Sequence, residues 1–129
     1  MTASPMSILL VEDDAVVRTS LCFALESSHI QVVEAGSVAE GRERFQPGIT
    51  DVVVLDVHLP DGTGHDLAQW LRRLQPRLPL VMISTDHDAP DRQPRLPAAF
   101  GRIALLSKPF SASQLLDAIS SVAAEGDAP

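Results

Sequence analysis

The segment Asp51-Val52-Val53-Val54-Leu55 constrains this chain more than any other. It is β-branched and apolar with no polar alternation, so as a strand it must be covered on both faces. Both faces are covered when helices cross over between parallel strands. The rest of the chain supplies such a pattern. Ile8-Leu9-Leu10-Val11, Ile30 to Val33, Leu80 to Ile83 and Ile103 to Leu106 are four further short apolar runs. Residues 14–27 carry Val17, Leu21, Ala24 and Leu25 at helical spacing. Ser37 and Glu40 form a capping-box pattern that opens a helix reaching Phe45, with Gly41 inside it lowering its regularity. Pro60-Asp61-Gly62-Thr63-Gly64 is turn chemistry. A helix follows, with Leu67, Leu71 and Leu74 on one face and Trp70 beside it. Ser111 with Gln114 is a second capping box, opening a last helix with Leu115, Ile119, Val122 and Ala123 inward. The tail from Glu125 to Pro129 is polar and expected to fray.

Five strands alternating with helices define an α/β fold, a doubly wound five-stranded parallel sheet. The expected strand order is 2-1-3-4-5. One crossover is weak. Alternation asks for a fourth helix over residues 89–100, yet Pro90, Pro94 and Pro97 fall there. An interior Pro removes a hydrogen bond and clashes with the preceding turn, costing ~3 kcal/mol. An irregular fourth helix, short, broken or 3₁₀-like, is therefore expected. The length, 129 residues, suits a single domain over 1–129, with its core spanning residues 6–124.

The formal net charge is -7, from 17 acidic and 10 basic residues. That argues against direct nucleic-acid binding, which needs a basic surface. No apolar stretch reaches membrane-span length, and Met1 to Ser7 lacks the marks of a signal peptide. A cytoplasmic location and no membrane contact are the expectations. Cys22 is the single cysteine, so no intramolecular disulfide forms, and it is read as a small buried apolar residue. Among the ten basic residues Lys108 is the only Lys. An ammonium and a guanidinium are not interchangeable at a phosphate site. The plain alternative is a genome that favours Arg codons.

In a doubly wound sheet the ligand sits beyond the carboxyl ends of the strands. Those ends here are polar: Glu12-Asp13-Asp14 after strand one, Asp56 after strand three, Ser84 after strand four, and Ser107-Lys108-Pro109 after strand five. The order 2-1-3-4-5 sets Asp13 beside Asp56. Crowded carboxylates repel unless a cation joins them. Oxygen-only ligands suit Mg2+ or Ca2+ rather than Zn2+, and Mg2+ leaves room for phosphate oxygens. Lys108 adds positive charge across the cleft and Ser84 a hydroxyl. The set describes phosphoryl transfer to a carboxylate nucleophile. Each residue alone has an ordinary reading. The acidic triplet could cap the first helix, Asp56 could be a turn residue, and Ser84 a loop hydroxyl. His29, His65 and His87 have no ligand spacing and read as solvated surface, as do Arg72, Arg73 and Arg77.

These residues resemble the receiver domain of bacterial response regulators, a flavodoxin-like, chemotaxis-regulator-like fold, over nearly the whole chain. Ile8-Leu9-Leu10-Val11-Glu12-Asp13-Asp14 is similar to the first strand and acidic pair of that family. Val54 to Gly64 is similar to its phosphoacceptor segment, Ser84 to its Ser/Thr position, and Lys108-Pro109-Phe110 to its Lys-Pro-aromatic segment. The resemblance implies that Asp56 is phosphorylated by a sensor histidine kinase or a phosphotransfer protein of a phosphorelay. It implies that Asp13, Asp56 and the backbone carbonyl of His58 bind Mg2+, with Glu12 supporting the metal through water. It implies that Ser84 and Lys108 contact the phosphoryl group and that the Lys108–Pro109 bond is cis. His58 stands near enough to Asp56 to affect phosphate lifetime. Such a chain is not an enzyme beyond slow self-catalysed phosphorylation and dephosphorylation. Its output domain or protein partner lies outside the chain, and a homodimer is compatible with it. Three positions depart from the family pattern. Thr85 stands where a small residue is usual, Leu105 where many members carry Tyr or Phe, and the Pro-rich segment replaces a common signalling helix. The last helix and fifth strand are then the expected readout surface.

Two other functions fit parts of the pattern. A degenerate receiver would bind partners without phosphorylation. A phosphatase of the haloacid dehalogenase type also uses an Asp nucleophile and Mg2+, but places it after the first strand in an Asp-x-Asp pattern. Here that position reads Glu12-Asp13-Asp14, and the isolated Asp56 follows strand three.

Overall fold

The computed structural model describes residues 5–84 and 102–125. In chain order the elements are β1 (Ser7–Val11), α1 (Ala15–Glu26), β2 (Gln31–Ala35), α2 (Val38–Arg44), β3 (Val52–Asp56), β4 (His58–Leu59), β5 (Gly62–Thr63), α3 (Gly64–Leu74), β6 (Leu80–Ser84), β7 (Ile103–Ser107) and α4 (Ala112–Glu125). Five strands form one parallel sheet in the order β2-β1-β3-β6-β7. Counted in chain order along that sheet, this is the expected 2-1-3-4-5 arrangement. The remaining two strands, β4 and β5, pair antiparallel as a small hairpin.

The interior strands β1, β3 and β6 are covered on both faces, as their unbroken apolar runs require. Alternate side chains go to opposite sides. Leu9, Val11, Val53, Leu55, Leu80 and Met82 pack with Leu67 and Leu71 of α3 and Val38 of α2. Ile8, Leu10, Val52, Val54, Val81 and Ile83 pack with Leu25 of α1 and Leu115, Ile119 and Val122 of α4. Cys22 is buried in the second cluster, with its thiol pushed up to about 11 by burial and then by Glu26 and Glu34. A thiol that holds its proton so firmly is a packing group, not a nucleophile.

Local signals account for the element starts. Asp14 caps α1 by accepting from the N–H groups of Val16 and Val17. Ser37 Oγ accepts from Glu40 N–H at 3.1 Å, and Glu40 reaches back to Gly36 N–H at 2.7 Å. Ser111 and Gln114 close a full reciprocal box, at 3.1 and 2.8 Å. Gly41 inside α2 is a close-packing position: a Cβ there would meet Leu67 Cδ2 at 2.8 Å. Among the described residues no helix is long and apolar enough to cross a membrane.

Several expectations shift. β2 begins one residue later than Ile30 and runs on to Ala35, and β3 begins at Val52, with the Asp51 carboxylate accepting from Ser7 N–H. Leu74, placed with Leu67 and Leu71 by spacing, is exposed as the last residue of α3. His65, in the first turn of α3, is buried rather than solvated. Arg72 is also buried, and its reading as a solvated face is wrong. Its Nε donates to Leu78 O at 2.8 Å and its terminal nitrogens donate to Pro76 O and Arg102 O. The guanidinium thus ties the end of α3 to the chain entering β6 and β7. The expected irregular helix over 89–100, with Thr85 and His87, lies outside the described residues. Hydrogen bonds to a charged donor contribute about 1.5–3 kcal/mol. Arg72→Ala is expected to destabilise the fold by about 2–3 kcal/mol, and exposed Arg73→Ala by at most about 0.5 kcal/mol, in urea unfolding.

Candidate phosphoacceptor site

A parallel sheet carries every strand's carboxyl end to one edge. Val11 pairs with Leu55, so the residues that follow them, Glu12 and Asp56, emerge side by side. Glu12 is held in line by its N–H on Ala35 O at 2.9 Å. Asp56 pairs with Ile83, which puts buried Ser84 one step further along β6. Lys108 N–H donates to Ser84 O at 2.7 Å, extending the β6–β7 ladder past Ser107, and the Lys108–Pro109 bond is cis. From there Lys108 Nζ donates to Asp56 Oδ2 at 3.0 Å and to Glu12 Oε2 at 3.2 Å.

Oxygens of Glu12, Asp13 and Asp56 lie within 4.8 Å of one another. Glu12 and Asp56 are 1% and 4% exposed, whereas Asp13 opens to solvent. The acidic triplet divides by role. Asp14 is the helix cap, and Glu12 and Asp13 face Asp56. Burial, followed by the hydrogen bond and like charge of Asp56, pushes the Glu12 carboxyl up to about 7. Burial works against the Lys108 ammonium, but the hydrogen bond and charge of Asp56, then Glu12, outweigh it and hold its pKa above the usual value. Three carboxylates and one ammonium leave the ionised cluster at a formal charge of -2. The donor set, oxygen only with one solvent-facing member, fits a hard divalent cation such as Mg2+.

The chain after Asp56 is arranged around its carboxylate. His58 N–H donates to Asp56 Oδ1 at 3.0 Å, so the two carboxylate oxygens face two different donors. The His58 residue itself is exposed. Gly64 N–H returns to Val57 O at 2.8 Å, closing the hairpin. A Cβ on Gly64 would stand 2.3 Å from Asp56 O, closer than real Cβ atoms approach backbone. The hairpin tip is tied down by Asp61, whose carboxylate accepts from Val38 N–H at 2.7 Å and Ala39 N–H at 3.0 Å. These bonds hold the Asp61 carboxyl below the usual carboxylate range. Sequence reasoning placed Asp61 in turn chemistry and missed this role. Its partners are 23 and 22 residues away, and no local spacing announces them. Glu12, Asp13, Asp56, His58, Ser84 and Lys108 are all brought to this edge. Leu105 lies on edge strand β7, 64% exposed.

This chain belongs to the response regulator receiver domain family, whose model matches residues 8–120. Nodulation protein W of Bradyrhizobium diazoefficiens is 36% identical over 112 residues, covering 87% of this chain and 48% of that protein. The phosphate regulon transcriptional regulatory protein PhoB of Escherichia coli is 32% identical over 117 residues, covering 89% and 50%. The chain thus spans about half the length of these curated relatives. Among solved structures, the non-phosphorylated HemR receiver domain of Leptospira biflexa matches with a TM-score of 0.80 at 32% identity, over 93% of this chain and 94% of that one. The chemotaxis response regulator CheY4 of Vibrio cholerae matches with a TM-score of 0.80 at 25% identity, over 92% and 99%.

Gly64→Ala is expected to destabilise the protein by at least about 1–3 kcal/mol in urea unfolding, because backbone rather than a side-chain tip must move. Asp61 gives a pH dependence. Its folded pKa is depressed, so its contribution is complete above the ordinary carboxylate range and is lost as pH falls through the folded value. Thermal unfolding followed down the acid range should therefore show a steeper loss of Tm in the wild type than in Asp61→Asn.

Proposed function

We propose that Asp56 is the phosphoacceptor of a two-component switch. The observation that carries this reading is the lone lysine of the chain, with Nζ 3.0 Å from a carboxylate that is 4% exposed. A histidine kinase or a phosphotransfer protein donates the group. A carboxylate oxygen of Asp56 forms the new bond to phosphorus, the P–N bond of the donor phosphohistidine breaks, and the imidazole nitrogen keeps the electron pair. Lys108 offsets negative charge on the transferring oxygens, and Ser84 supplies a hydroxyl donor at the next strand end. Glu12, Asp13, Asp56 and the backbone carbonyl of His58 would hold Mg2+, which when bound adds charge neutralisation for the phosphoryl group. Self-catalysed phosphorylation and dephosphorylation are the extent of its chemistry, so it is a switch and not a turnover enzyme. Phosphorylation shifts a balance between conformations, and an output domain or partner reads the result in the cytoplasm.

A second reading is a receiver that binds its partner regardless of phosphorylation. Exposed Leu105 favours it, since an aliphatic residue holds the position where the family resemblance leads one to look for a switching aromatic. Membership of the receiver family and the place of Asp56 at the end of the third strand speak against the haloacid dehalogenase reading.

Intact mass after incubation with acetyl phosphate decides between the first two. The expected result is a gain of one phosphoryl unit that requires Mg2+ and vanishes in Asp56→Asn. No gain under any condition, with partner binding unchanged by Asp56→Asn, would establish the second reading.

A further inference from the structure

Two acceptors meet at the start of α2, and they come from different parts of the fold. Ser37, the residue before the helix, takes Glu40 N–H. Asp61, from the tip of the β4–β5 hairpin, takes Val38 and Ala39 N–H at 2.7 and 3.0 Å. First-turn N–H groups have no partner within a helix, so both residues satisfy donors that would otherwise need water. Only Asp61 connects those donors to another element.

That element is the one next to Asp56. The hairpin pairs just His58 with Thr63 and Leu59 with Gly62, and a ladder this short does not hold its own shape. It nonetheless carries the His58 N–H that fixes Asp56 Oδ1 and leaves Oδ2 to Lys108. The hairpin is anchored at its base by Gly64 N–H on Val57 O. At the tip, Asp61 supplies two charge-assisted bonds, and Gly62 lies close enough to α2 that a Cβ would meet Val38 Cγ2 at 3.2 Å. α2 is in turn packed on α3 through Gly41 against Leu67 and through Arg42 over the Trp70 ring, at 5.4 Å from its centroid.

We propose, building on the reading of Asp56 as phosphoacceptor, that Asp61 is a positioning residue for it: by holding the hairpin tip on α2 it keeps the His58 backbone against Asp56 Oδ1. Without that hold the hairpin keeps its base bond and the packing of Leu59 but loses the restraint at its tip, and the donor that orients the carboxylate is held less firmly. Orientation of a reacting group is worth large factors in rate, and a displacement of about 1 Å can cost up to roughly a hundredfold.

The test compares Asp61→Ala, Asp61→Asn and Ser37→Ala. Asp61 and Ser37 both cap α2, but the bond that Ser37 Oγ accepts, from Glu40 N–H, stays within α2, so Ser37→Ala reproduces a loss that is merely helix stability. Two quantities are read: hydrogen exchange of the His58 amide relative to that of Val54 in the core, and the rate of phosphoryl uptake from acetyl phosphate at saturating Mg2+. In Asp61→Ala, His58 exchange should rise roughly tenfold and uptake should slow by roughly three- to tenfold. Asp61→Asn should fall between, because its amide keeps one acceptor oxygen. Ser37→Ala should leave both ratios within about twofold. The proposal is overturned if Ser37→Ala matches Asp61→Ala in both quantities, or if His58 exchange is unchanged in Asp61→Ala. Should Asp61→Ala fail to fold, Asp61→Asn against Ser37→Ala decides by the same criteria. If the wild type takes up no phosphoryl group, the reading of Asp56 fails, while His58 exchange still decides whether Asp61 holds the loop.

Discussion

The structure depends on one electrostatic arrangement: two buried carboxylates, Glu12 and Asp56, sharing the ammonium of Lys108. Taking charges out of water is costly, and a pair is tolerable only with good geometry and further hydrogen bonds. Both conditions hold. Each carboxylate also accepts a backbone N–H, from Asp14 for Glu12 and from His58 for Asp56. The arrangement remains one positive charge short of neutral even without Asp13, and burial, followed by the hydrogen bond and like charge of Asp56, raises the Glu12 carboxyl. Its oxygen donors are of the kind a hard divalent cation takes.

The remainder of the fold keeps those three residues in place. β1 and β3 are paired along their lengths, so Glu12 and Asp56 cannot slide relative to one another without breaking a buried ladder. Lys108 is set by the last rung of β6 and β7. Gly64 lets α3 begin directly against the backbone of Asp56, which no side-chain-bearing residue would permit without displacement. Asp61 and the Arg42–Trp70 contact join the hairpin, α2 and α3 into a single body on one side of the site. The opposite side, beyond β6, is where Ser84 ends and the exposed edge of β7 begins.

Much of this was legible beforehand because its causes are local or topological. Unbroken apolar runs marked the buried strands, and Ser-x-x-Glu and Ser-x-x-Gln patterns marked the starts of α2 and α4. The right-handed crossover rule then left few ways to order the strands, and the polar strand ends fell together on one edge. Residues whose partners are distant were misread. Arg72 looked like one more surface arginine on α3, yet it reaches Arg102 O 30 residues on. His65 looked solvated because a lone polar residue at a helix start usually is. Leu74 fitted the apolar stripe of α3 by spacing, yet as the last residue of the helix it is exposed.

The sequence by itself determined the element types, the parallel sheet and the identity of the acidic and basic groups at its edge. Periodicity, capping and turn preference act over a few residues, and each is written in adjacent letters. Only the tertiary structure decided which of those groups meet: Lys108 with Glu12 across 96 residues, with Asp56 across 52, and Asp61 with Val38 across 23. It also decided that Asp14 caps a helix while its neighbours Glu12 and Asp13 face the site. Contacts of that kind depend on the register and twist of packed elements, where a shift of one residue sends a side chain to the other face. No spacing along the chain records that choice.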